Sequence, residues 1–311
     1  METRPLLIHI GYHKSATTWL QKNLFSNETC GFISPWGAQA GIAVQEFICG
    51  NPFSFSAEKT RIKFQHGLKT ATDLGLIPVL SNEALCGLEH PRTRYEKETA
   101  DKLFKTFPDA KVMISIRNQK SSITSHYRQY ISKGNSKTIS EYICSNSKPQ
   151  GFYPECQLDR FEYDLLVSYY IKLFGESNIL VILQEELLTH PQLVCDQISN
   201  FLGIKAFTAP SVDKARVGNK GLVLEFRRFW NSYNIGVPDW SRPNQSISYR
   251  LISKLERIIE KLTPKFIDDH IEKKISTIVN SVCTDRFEAS NKALKKIIDK
   301  DIKTFGYSLE E

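Results

Sequence analysis

Residues Leu6–Leu24 read LLIHIGYHKSATTWLQKNL, and the fold class turns on how that stretch is parsed. LLIHI is a short, nearly continuous apolar run, the composition of a strand buried on both faces. Gly11 ends it, and a tight loop leads to a helix beginning near Ser15–Thr18. Strand, loop and helix start in that order aim free backbone N–H groups and the positive end of a helix at one point, which suits a phosphate. Lys14 brings a mobile positive charge there, and Ser15, Thr17 and Thr18 bring short hydroxyl donors. The plainer reading is a capped helix behind a strand, with Lys14 merely solvated. This is not a Walker A loop, which needs G-x-x-x-x-G-K-[ST]; here Lys14 follows Gly11 by only three residues, ahead of the Ser/Thr cluster.

Outward from that stretch, strand-like runs alternate with helical segments through the first two-thirds of the chain, the pattern of a parallel sheet flanked by helices. The expected strands are Leu6–Gly11, Gly31–Ser34, Leu76–Ser81, Ala110–Arg117 and Asn178–Gln184. Expected helices include Thr17–Phe25 and Phe161–Phe174, the latter with Leu165, Leu166, Tyr169, Tyr170 and Leu173 along one face. Pro191–Leu202 opens on a proline and stops before Gly203, a well-punctuated helix. From Ser246 onward strands stop, and Leu251, Ile252, Leu255, Ile258, Ile259 and Leu262 form a helical stripe read as packing inward. The predicted organisation is an α/β domain over residues 1–245 and a helical C-terminal portion over 246–311 packed on it.

Bulk properties bound the function. A chain of 311 residues with 41% hydrophobic and 24% charged residues has an ordinary globular composition. No apolar run reaches 18 residues, which excludes a membrane span, and the apolar start is too short for a signal segment. Seven scattered cysteines without a C-x-x-C pair argue against a disulfide framework or a zinc site and suit a cytoplasmic location. The net charge of +7 suits anionic ligands, but the basic residues form no stripe interleaved with aromatics, which disfavours nucleic acid.

A second segment far along the chain sharpens the first. The run KVMISI ends in Arg117, and Ser125 follows eight residues on, within the next expected helix. A guanidinium at a strand end and a hydroxyl two turns into the helix can clamp one phosphate.

Together these segments resemble the sulfotransferase family, whose 5′-phosphosulfate loop runs approximately P-K-S/T-G-T-T-W-L. HKSATTWL matches it at Lys14, Ser15, Thr17, Thr18, Trp19 and Leu20; His13 and Ala16 depart from it, Ala16 standing where the family has glycine. The resemblance implies a three-layer, P-loop-like α/β fold and a donor, 3′-phosphoadenosine 5′-phosphosulfate. It further implies that Lys14 meets the oxygen bridging phosphate and sulfate, that Thr17 and Thr18 with the loop amides of Ser15 and Ala16 hold the 5′-phosphate, and that Trp19 lies against adenine. Arg117 and Ser125 would take the 3′-phosphate, with Arg216 and Lys220 of RVGNK in the place of the family's basic loop. The family's Tyr-Glu-Asp-Leu-like turn reads Gln184-Glu185-Glu186-Leu187, without the aromatic residue. The ending, FEASN through Gly306-Tyr307, looks like that of bacterial members.

Sulfuryl transfer needs a base for the acceptor hydroxyl. Glu83, just after the strand Leu76–Ser81, stands at the edge where open α/β sheets bind ligands, and related glycan and tyrosyl-protein enzymes place a glutamate comparably. His13, His66, His90 and His126 are its rivals, while His9 inside the first strand reads as a satisfied core residue. The expected function is transfer of a sulfuryl group to an alcohol on a saccharide, glycolipid or other small acceptor, without a metal requirement. Specificity is expected in Ser145–Leu158, with Phe152 and Tyr153, and in Trp36–Thr72. A P-loop-type nucleotide kinase and a non-catalytic nucleotide- or glycan-binding protein with a decayed site are the alternatives.

Overall fold

The computed structural model describes residues 4–87, 95–144, 155–211, 221–235 and 246–309. Five strands appear among the described residues: β1 (Leu7–Gly11), β2 (Phe32–Ile33), β3 (Ile77–Ser81), β4 (Lys111–Ile116) and β5 (Ile179–Leu183). All lie where the apolar runs predict them, within a residue or two at each end. They form one parallel sheet in the order β2-β3-β1-β4-β5, so the strand carrying the loop is central.

The helices in chain order begin with α1 (Thr17–Trp19), continued by a π-helical turn over Leu20–Leu24, then α2 (Gly41–Val44), α3 (Ala57–Leu74) and α4 (Glu96–Thr106). Next come α5 (Gln119–Ser132), α6 (Ile139–Ile143), α7 (Tyr163–Phe174), α8 (Gln184–Thr189) and α9 (Pro191–Leu202). The last four are α10 (Gly221–Ser232), α11 (Ile247–Leu262), α12 (Lys265–Cys283) and α13 (Glu288–Ile298).

The chain divides into two compact bodies. The first, Met1–Asn118, Glu162–Asp213 and Ala289–Leu309, contains the whole sheet. Alternate strand residues point to opposite faces. On one face Leu7, Val79, Met113 and Ile182 pack against Leu20, Leu24 and Phe25 after the loop and against Val194, Ile198 and Leu202 of α9. On the other, Ile8, Leu80, Val112 and Ile114 are fully buried, and α3 and α7 pack on the strands with α4 between them. Burying each such side chain contributes about 1.5–3 kcal/mol, so the strand that presents the loop is held from both sides. α9 starts at Pro191 and closes on Gly203 in the left-handed conformation, as its punctuation predicts. The inward face of α7 differs from expectation: Tyr163, Val167, Tyr170 and Phe174 are buried while Leu165 is exposed. The helix is apolar nearly all round, so periodicity alone could not orient it.

The second body, Gln119–Phe161, Lys214–Glu288 and Glu310–Glu311, carries helices and no strand among its described residues. Its helices are tied by polar contacts: the amides of Gly221 and Leu222 at the start of α10 donate to Glu272 and Asp268 of α12. Arg128 of α5 pairs with the other oxygen of Glu272. Gly221 has φ 56°, and a Cβ there would lie 1.8 Å from Asp268 Oδ1, so only glycine lets α10 start against α12. Of the apolar stripe expected to face inward on α11, Ile252 is buried, but Leu251, Leu255, Ile258 and Leu262 are exposed. Among the described residues, no helix is long and apolar enough to cross a membrane.

Candidate active site

The loop after β1 doubles back over the end of its own strand. Lys14 and Ala16 both adopt the left-handed conformation, at φ 68° and 63°. An L-residue pays about 1–2 kcal/mol for that conformation. The turn is closed by the Ser15 amide donating to the Tyr12 carbonyl at 3.1 Å and by the Trp19 and Leu20 amides donating to Ala16. Among the described residues, the amides of Lys14, Ala16, Thr17 and Thr18 donate to no protein acceptor. Consecutive unpaired amides in a chain of alternating hand form an anion-binding concavity. The ammonium of Lys14 is exposed beside them and pairs with no carboxylate among the described residues.

A buried polar network supports the loop from beneath. His9 Nδ1 meets Ser81 Oγ of β3 at 2.8 Å, and His9 Nε2 meets Ser115 Oγ of β4 at 3.0 Å. Ser115 Oγ lies 2.8 Å from Ser15 Oγ, which donates to the Tyr12 carbonyl, and Gln21 donates to Ser81 from the other end. Three strands and the loop are thus joined through one imidazole. Burial drives the pKa of His9 down to about 3, so the ring is neutral. Gly11 leaves the room this network occupies: a Cβ there would stand 2.2 Å from Thr17 Cγ2 and 2.5 Å from Ser115 Oγ. The glycine is required by close approach rather than by backbone hand.

Glu83 begins a short 3-10 turn after β3, capped by the Asn82 side chain. Its Oε2 accepts from Thr17 Oγ1 at 3.2 Å, and its Oε1 lies 3.9 Å from His13 Nδ1. His13 Nε2 meets the Gly87 carbonyl at 3.2 Å, and since a carbonyl only accepts, that nitrogen carries the proton. At 3.9 Å Nδ1 faces the carboxylate without a direct hydrogen bond to it. Arg117, at the end of β4, donates from Nη1 to the Lys14 carbonyl at 3.3 Å, and its own carbonyl accepts from Tyr163 at 2.7 Å. Glu185 accepts from the Asn118 amide at 2.9 Å, and burial pushes its carboxyl pKa up, offset by that amide and by Arg117.

Comparison with known proteins bears on this arrangement. The family model described as "Sulfotransferase domain" matches residues 4–216, more than half of the chain. The chain belongs to the sulfotransferase family. No curated protein sequence matches it. Among solved structures, a sulfotransferase from Alicyclobacillus acidocaldarius is similar at 16% identity and TM-score 0.58, covering 98% of this chain and 99% of that one. At that identity the likeness speaks to the fold, which is the α/β sulfotransferase architecture. The sulfotransferase domain from the curacin biosynthetic pathway (14% identity, TM-score 0.42) covers 82% of this chain and 98% of its own. That from the Synechococcus PCC 7002 olefin synthase (12%, TM-score 0.32) covers 85% and 98%.

For this sulfotransferase the first body brings Lys14, Ser15, Ala16, Thr17, Thr18, Trp19, Glu83 and Arg117 to one edge of the sheet. Within that group Ser15 turns inward, with its hydroxyl and its amide both engaged inside the loop. Trp19 donates from Nε1 to the Ser211 carbonyl and packs on the core beneath the loop. Ser125 sits on α5, in the second body. Arg216, Lys220, His90, Phe152 and Tyr153 lie outside the described residues. Two features escaped the sequence reading: the partnership of His13 with Glu83, and the serine–histidine network. Their members are about 70 to 106 residues apart. The one local signal was a histidine and two serines in otherwise apolar strands.

Proposed function

We propose that this sulfotransferase uses 3′-phosphoadenosine 5′-phosphosulfate as donor and passes the sulfuryl group to an alcohol, on a saccharide, glycolipid or other small acceptor. The supporting observation is the loop itself, with four unpaired amides and an unpaired lysine ammonium beside a carboxylate held by Thr17. The donor supplies an activated sulfuryl group, whose transfer forms a bond from the acceptor oxygen to sulfur and breaks the bond from sulfur to the 5′-phosphate oxygen.

In this reading the unpaired amides of Lys14, Ala16, Thr17 and Thr18 and the threonine hydroxyls bind the 5′-phosphate. Lys14 neutralises the charge that grows on its bridging oxygen, an electrostatic role worth roughly 10²–10³ in rate for one such donor. Glu83 takes the acceptor's proton, with His13 Nδ1 3.9 Å from its carboxylate. Arg117 and Ser125, with Arg216 and Lys220, hold the 3′-phosphate, and Trp19 lies against adenine. The carboxylate base favours an alcohol acceptor.

Calorimetric titration with the product nucleotide, 3′-phosphoadenosine 5′-phosphate, tests the donor site. Micromolar affinity, about −8 kcal/mol, sharply weakened by Arg117→Ala and by Lys14→Ala, is the expected result. Absence of binding to the wild type, or equal binding of ATP with Mg²⁺, would refute the donor assignment and favour a kinase or a decayed site.

A further inference from the structure

The second body carries a helix turned the wrong way round for a globular core. α11 is fixed to α10 by its polar side: Glu256 accepts two bonds from Arg227, at 2.5 Å each, and both side chains are buried. The Arg227 guanidinium also lies 5.2 Å from the centre of the Tyr249 ring. The apolar stripe, Ile247, Leu251, Leu255, Ile258 and Leu262, is left outside, with exposures of 43% to 78%. At about 100° per residue these five fall within an arc of about 80° along about 22 Å of helix. A contiguous apolar strip of that length is a binding surface rather than scattered exposure.

The charges beside the strip say what covers it. Arg250, Lys254, Arg257 and Lys261 are all exposed and, by the same geometry, line a single edge of the strip within an arc of about 60°. Glu260 projects from the opposite side of the helix, and Glu256 is spent on Arg227. A second copy of this chain could cover the leucines, but neither edge of its own strip carries a carboxylate to meet the four cations. An apolar face bordered by cations and free of acids is complementary to an anionic bilayer, whose acyl boundary receives the leucines while its headgroups receive the lysines and arginines.

We propose that α11 is an interfacial helix that docks this protein on an anionic membrane surface, lying in the plane of the headgroups. The docking is independent of the sulfuryl-transfer reading. Co-sedimentation of the full chain with phosphatidylcholine vesicles, with and without phosphatidylglycerol, tests it. The expected result is binding to the anionic vesicles alone, weakened by salt. Lys254→Gln/Arg257→Gln should lower the partition coefficient roughly thirtyfold at low ionic strength, from about fivefold per cation at the surface. Leu251→Gln/Ile258→Gln should lower it by at least about tenfold. Both pairs are exposed, so unchanged thermal unfolding keeps the comparison fair. Equal binding to neutral vesicles, or no binding to either, would overturn the proposal. So would a dimer in sedimentation velocity that Leu251→Gln/Ile258→Gln disperses while vesicles go unbound, which would assign the strip to a second copy.

Discussion

Acidification should loosen this protein through one residue. Burial holds the His9 imidazole at a pKa of about 3, against an ordinary 6.5. Between those values the unfolded chain binds a proton that the folded chain refuses, so this contribution to stability is complete above about pH 6.5 and is lost progressively as the pH falls toward 3. Each pKa unit is worth about 1.36 kcal/mol, so lowering the pH from about 7 to about 4.5 should remove about 3 kcal/mol through His9 alone. His9→Gln keeps an amide that can reach one of the two serines but removes the titration. Urea unfolding of both proteins, followed by tryptophan fluorescence across that range, separates the effect from the carboxylates and the other histidines, which titrate alike in both. The variant should be less stable at neutral pH yet lose about 3 kcal/mol less on acidification. Parallel stability curves for the two proteins would refute the reasoning, because they would mean that His9 is not a neutral, desolvated bridge.

Three further outcomes follow from the same loop. Gly11→Ala, whose Cβ would fall 2.2 Å from Thr17 and 2.5 Å from Ser115, should destabilise the protein by about 1–3 kcal/mol and weaken product-nucleotide binding, measured by urea unfolding and calorimetry. Ala16→Gly removes left-handed strain of about 1–2 kcal/mol and adds about 0.4–1 kcal/mol of unfolded-state freedom; a gain of roughly 0.5 kcal/mol in urea stability is expected. Glu83→Gln should lower kcat by roughly 10²–10⁴ in a transfer assay with labelled donor, and the rate should lose its dependence on deprotonation of a carboxylate.

How legible each element was depended on how local its cause is. β1, β4 and β5 announce themselves as nearly continuous apolar runs, and α9 carries its own start and stop in Pro191 and Gly203. The loop is equally local, since Lys14, Thr17 and Thr18 sit within one turn of chain, and even the left-handed backbone at Ala16 was foreshadowed by the glycine that the family places there. Glu83 could be placed at the right edge because a strand end fixes its position. Its pairing with His13 was not legible, because it depends on β1 and β3 lying side by side in register, His9 against Ser81. Orientation was the other blind spot. Periodicity shows that α7 and α11 have apolar stripes but carries no information about which side meets the core, and on α11 a buried arginine–glutamate pair decides against the leucines.

The central place of β1 also sets a timetable. Leu7 pairs with Val79 on one side and with Lys111 on the other, partners about seventy and about one hundred residues further along the chain. At a synthesis rate of about 5–20 residues per second, the first strand leaves the ribosome roughly 5–20 s before β4 exists to cover it. LLIHI has no strand partner until β3 emerges and keeps one edge open until β4 does, and such delayed, long-range parallel pairing is slow to form and open to aggregation. The nascent chain should therefore depend on holdase chaperones during its first hundred residues, and overproduction that outruns them should send it into inclusion bodies, however stable the finished sheet is.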